Sequence, residues 1–153
     1  MARARQKPVT PDQRIRDLRK EFRGFDKEPP GADRAARLAA FTRAAHEERQ
    51  VNMAMQTATM CLDDDPDQPA LLLTAYADAD ETLEERMHAL GDLRDLARYI
   101  DRPDIGTMAQ ERQIDTARAW VAAGDDGERR YRLRSVQSAI SREVADQLRD
   151  EVG

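Results

Sequence analysis

Glu85 and His88 stand one helical turn apart, an E-x-x-H pair of the kind used by carboxylate-bridged metal sites. They lie in ETLEERMHALGDLRDL, residues 81–96, which gathers five carboxylates and one of the two histidines. A metal cradle of this kind projects its ligands into a helical bundle and needs a second E-x-x-H and two further Glu. The other histidine, His46, has Arg43 three positions before it, so the second half is missing. At about 100° per residue, Leu83, Met87, Leu90 and Ala97 share one side of a helix. Glu81, Glu84, Glu85, His88, Asp92 and Asp95 share the other side. The expectation is a solvated acidic face without a metal.

Other catalytic patterns are incomplete in similar ways. Asp63, Asp65 and Asp67 match positions one, three and five of a calcium loop, but Gln68 holds the glycine position and Thr74 that of the bidentate glutamate. A helix–helix turn is expected there instead. Glu81-x-x-Glu84 followed by Leu90-Gly91-Asp92-Leu93 resembles part of the magnesium-binding pattern of MazG-type nucleotide pyrophosphohydrolases, which are all-α. That resemblance implies metal-dependent nucleotide hydrolysis, yet Ala89 stands where the pattern needs Glu. No Walker A loop, G-x-S-x-G or G-x-G-x-x-G is present. Cys61 is the only cysteine, which excludes an internal disulfide and a cysteine-built zinc site and fits a reducing, cytoplasmic setting. The reading is a non-enzyme without cofactor, with a metal-dependent nucleotide hydrolase as the residual catalytic alternative.

Binding surfaces carry more signal. Residues 1–23 hold eight basic and three acidic side chains, whereas residues 63–95 hold eleven acidic and two basic ones. The basic arm comprises Arg3, Arg5, Arg14, Arg16, Arg19, Lys20 and Arg23, along with Lys7. Such an arm suits nucleic acid, an anionic membrane surface or an acidic protein face. Gln137-Ser138-Ala139-Ile140-Ser141-Arg142-Glu143-Val144 resembles the recognition helix of LysR-type regulators, which implies DNA contact by an exposed helix face. Val51 to Leu62 is apolar on two sides: Val51 and Met55 mark one, Met53 and Met60 the other. A helix apolar on both sides is central in its bundle or covers a partner, so these four residues form a candidate dimer or partner face. Glu48 and Asn52 fall in the same seam one turn apart and, if buried, make a polar layer that fixes register or subunit pairing.

The elements that must position these residues are helical. Charged residues make up 36% of 153 residues and aromatics 5%, which leaves little material for strands. Gly and Pro fall between long Ala-, Leu- and Arg-rich segments. The preference for Arg over Lys points to a GC-rich, bacterial coding sequence. No apolar run approaches the 18 residues of a membrane span, and the basic N-terminus lacks a signal peptide's apolar stretch. The expected fold is all-α, a helical bundle of about five helices built on a long antiparallel hairpin. Residues 1–31 form a basic arm with a short amphipathic helix capped by Thr10, ended by Gly24 and followed by a Pro/Gly linker. Residues 32–153 form the bundle. Helices are expected over about 32–62, 69–100, 105–123 and from Asp125 or Asp126 to about 151, the first two pairing as the hairpin. The functional expectation is a small interaction or regulatory protein, pairing with itself or another helical protein; the alternative is a nucleic-acid-associated protein using its arm.

Overall fold

The computed structural model describes residues 9–66, 69–77 and 81–152. The described residues form eight helices and no strand. None of these helices is long and apolar enough to cross a membrane. The chain divides into two compact units, Met1–Asp67 and Gln68–Gly153.

The first unit contains α1 (Pro11–Phe25), α2 (Ala32–Glu47) and α3 (Val51–Asp64). Thr10 caps α1, accepting from the Gln13 amide at 3.2 Å, with Pro11 in the first helical position. Gly24 does not end this helix: it stays in the last turn, and Asp26 is the C-cap. Leu18 and Phe25 are buried, and Phe22 and Phe25 pack their rings on Phe41 of α2 at 6.2 and 5.4 Å. α2 and α3 form an antiparallel pair around Leu38, Phe41, Ala54, Ala58 and Leu62.

The second unit contains α4 (Ala70–Tyr76), α5 (Leu83–Tyr99), α6 (Pro103–Ala123), α7 (Asp126–Ala139) and α8 (Arg142–Val152). α5 and α6 run antiparallel and bury Leu90, Leu93, Leu96, Ile105 and Ala109. Met87, Trp120, Val121, Leu133, Val136 and Leu148 make a core shared with α7 and α8. In α6 the buried glutamine is Gln113, while Gln110 is exposed.

Three expected helices are therefore each broken in two, and the long hairpin of 32–62 against 69–100 does not form. The first break falls at Glu48–Gln50, where the sequence has neither Gly nor Pro. Arg49 adopts φ +59°, and the Gln50 and Arg49 amides donate to the carbonyls of Ala45 and His46 at 2.8 and 3.0 Å. This is a left-handed C-terminal cap made without glycine. Asp101 repeats it between α5 and α6 with φ +55°. A non-glycine residue in this region is strained by about 1–2 kcal/mol. Arg49 is exposed, so Arg49→Gly is expected to raise stability by about 1 kcal/mol, less the extra freedom glycine gives the unfolded chain. Urea unfolding followed by far-UV circular dichroism checks this; a destabilised variant would refute it.

The second break precedes Thr82, whose hydroxyl accepts from the Glu85 amide at 3.1 Å and starts α5. The third is Ile140–Ser141, where the Ser141 hydroxyl accepts from the Val144 amide at 3.1 Å and starts α8. Both are ordinary hydroxyl N-caps.

Candidate functional site

The acidic stretch forms the outer face of α5. Glu85, His88, Asp92 and Asp95 are exposed, Glu81 and Glu84 half-buried, while Met87, Leu90, Leu93 and Leu96 are buried. Glu81 lies before the Thr82 cap and not on the helix, so it is not the helical neighbour of Glu85. Glu84 and Glu85 occupy the first turn, where carboxylates complement the positive end of the helix dipole. The signal was legible in the sequence: Thr82-Leu83-Glu84-Glu85 is a capping-box pattern. Among the described residues no three His, Cys, Asp or Glu side chains group as metal ligands. His88, Asp92 and Asp95 instead rim an open groove with Arg94, Gln113 and Ile140.

One polar link organises this region. Gln113 is fully buried, donates to the Met87 carbonyl and accepts from Arg94, both at 3.0 Å. Gly91 makes room for it, since a Cβ there would stand 3.0 Å from the Gln113 amide nitrogen. The buried amide thus joins α5 to α6 and fixes the direction of Arg94.

The basic arm is placed on the outer face of α1 for the residues described; Arg3, Arg5 and Lys7 lie outside them. Arg14 leaves the arm's free charge, because it pairs with Glu48 at 2.7 Å. Arg16, Arg19, Lys20 and Arg23 are exposed and recur at i, i+3, i+4 and i+7, so they share one stripe. Asp17 and Glu21 fall on a different side. None of these four cations makes an ion pair among the described residues. Elsewhere arginines are paired locally: Arg43 with Glu47, Arg118 with Asp115, Arg129 with Asp126, Arg132 with Glu128 and Arg149 with Asp146.

The two apolar faces expected in α3 are the two edges of one broad face. Ala54, Thr57, Ala58, Cys61 and Leu62 are buried; Val51 and Met55 border that arc on one side, Met53 and Met60 on the other, all four half-buried. The expected Glu48–Asn52 layer is absent. The break at Arg49 makes Glu48 a C-cap and rephases α3, so that Asn52 points to solvent. The polar layer in this seam is Thr42–Thr57, fully buried with hydroxyl oxygens 2.8 Å apart. Each oxygen also lies within 2.9 Å of a carbonyl one turn back in its own helix. One hydroxyl donates to the other, and the second donates to its carbonyl, which satisfies both without charge.

Of the aspartate run, Asp63 is exposed and Asp64 is taken by Arg34, while Asp67 lies outside the described residues. Burial pushes the Cys61 thiol up to about 11, aided by the nearby Asp64 and Asp65 charges. It stays protonated and donates to the Ala35 carbonyl at 3.2 Å, the behaviour of a small core residue and not of a nucleophile. The LysR-like octapeptide straddles the end of α7, the Ile140–Ser141 turn and the start of α8, so it forms no single recognition helix.

The chain matches no known protein family, no curated protein and no solved structure.

Proposed function

We propose that this chain is a non-catalytic interaction protein that self-associates through charged helix faces. The observation that carries the reading is the basic stripe of α1, four exposed cations on one face of one helix with no ion pair among the described residues. The outer face of α5 supplies its complement: Glu84, Glu85 and Asp95 have no ion pair among the described residues. Complementary stripes on one chain suit pairing between copies, with association speeded and oriented by charge. The half-buried Met53 and Met60 add adaptable apolar surface beside α2. Sedimentation velocity of the full chain tests this at about 0.03 and 0.3 M salt, where screening differs several-fold in range. The expected result is concentration-dependent association at low salt that Arg19→Glu with Arg23→Glu abolishes. Mixing that variant with Glu85→Lys and Asp95→Lys chains is expected to restore it. A monomer at every concentration and both salts would refute the reading.

The same stripe favours one second reading, nucleic-acid backbone binding. Four cations along one face match a row of phosphates, and each contact adds salt-dependent affinity. Neutralising Arg16, Arg19, Lys20 and Arg23 to Gln would then abolish oligonucleotide binding and flatten its salt slope.

A further inference from the structure

Arg94, Arg98 and Arg102 recur every four residues along the end of α5 and into the turn that follows it. This spacing puts Arg94 and Arg98 on one edge of α5, and the turn at Asp101 brings Arg102 to the same cleft. Together with Thr107 and Gln110 of α6 they line a cleft of about 280 Å³ at the α5–α6 elbow. Asp101 is the only acidic residue in the described lining, so the cleft is net positive. Its guanidinium groups are partly held in place. Arg94 is fixed by the buried Gln113 amide at 3.0 Å. Arg102 is gripped through two of its nitrogens by Asp104, at 3.0 and 2.9 Å. Arg98 is exposed and has no ion-pair partner among the described residues.

We propose that this cleft binds the phosphoryl group of a small phosphorylated molecule. The fork of Arg98, the remaining nitrogens of Arg94 and Arg102, the Thr107 hydroxyl and the Gln110 amide provide donors from more than one side, which suits a tetrahedral dianion better than a planar carboxylate. The volume lies at the small end for ligand pockets and has room for a phosphate and a short organic group. A nucleic-acid strand fits less well, because a cleft of this volume admits a single phosphoryl group and not a row of them. The assignment does not depend on self-association.

The test is amide-resolved NMR of the full chain, titrated with inorganic phosphate and with ribose 5-phosphate at constant ionic strength. Saturable shifts confined to residues 94–110 are expected for both, with the ester the tighter where the organic group is also bound. Arg98→Ala, which removes an exposed and unpaired side chain, is expected to weaken binding about tenfold or more. Arg98→Lys keeps the charge but loses the fork and falls between the two. Shifts that never saturate, that spread equally over the arginines of α1 and α7, or that Arg98→Ala leaves unchanged would overturn the proposal. So would an oligonucleotide that binds at the elbow when neither phosphate does.

Discussion

Arg34→Ala is expected to destabilise the fold at neutral pH by more than the loss of a surface ion pair does. Arg34 grips Asp64 through two nitrogens, Nε to Oδ2 at 2.6 Å and Nη2 to Oδ1 at 2.7 Å. Its remaining nitrogen donates to the carbonyls of Phe25 and Glu28 at 3.2 and 3.3 Å. One side chain therefore ties the end of α1, the linker, the start of α2 and the end of α3. The side chains are only 11% and 2% exposed. Removing the guanidinium leaves a buried carboxylate uncompensated, which is why the loss exceeds that of a surface pair.

The hydrogen bonds from Arg34 hold the Asp64 carboxyl below the usual carboxylate range, against the opposing effect of burial. A lowered folded-state value means that the stabilisation is complete above the unfolded value of about 3.9. It is lost as pH falls from there through the folded value. The difference between wild type and Arg34→Ala is thus expected to shrink progressively as pH falls below the usual carboxylate range. Urea unfolding followed by far-UV circular dichroism at several pH values checks this. Arg34→Met with Asp64→Leu, which removes both charges, is expected to recover most of the loss. An Arg34→Ala variant within about 0.5 kcal/mol of wild type, the range of a surface substitution, would show that the link does not matter.

The second large effect is expected from Trp120→Ala, at about 3–5 kcal/mol. Trp120 is the only tryptophan and is 7% exposed, within the core formed with Leu133, Val136 and Leu148. The Arg132 guanidinium lies 5.2 Å from its ring centre, donates to the Trp120 carbonyl and pairs with Glu128 at 2.7 Å. Truncation removes the ring from the core and also the cation–π partner of Arg132. Each kcal/mol corresponds to about 4–8 °C in melting temperature for a unit of this size, so a drop of more than about 12 °C is expected. Trp120→Phe keeps an aromatic ring in the site and is expected to lose less. If Trp120→Ala melted within a few degrees of wild type, the ring would not be a core element.

Composition alone determined the helical class, because a chain this rich in Ala, Leu, Arg and Glu and poor in aromatics has little from which to build strands. Helical periodicity placed most core residues, from Leu38 and Phe41 to Val136 and Leu148. It also turned Glu85, His88, Asp92 and Asp95 outward, since phase within one helix depends only on local spacing. The caps at Thr10 and Asp125 were legible for the same reason. Thr82 and Ser141 carry the same signal, but the apolar spacing runs on across them and masks it.

Tertiary structure alone decided the rest. Arg49 and Asp101 take the left-handed conformation usually left to glycine, and each turn is closed by the next residue's amide donating back to the preceding helix, Gln50 to Ala45 and Arg102 to Ala97, both at 2.8 Å. Once Arg49 breaks the helix, the phase of α3 is reset; Asn52 is turned out, and Thr42 and Thr57 become the polar layer. Arg34 and Asp64 are 30 residues apart, Arg94 and Gln113 are 19 apart, and Gln113 and Met87 are 26 apart, separations that no local pattern can join. Sequence spacing fixes which residues share a face, but the faces meet only where the turns allow, and here two of the turns are made by an arginine and an aspartate.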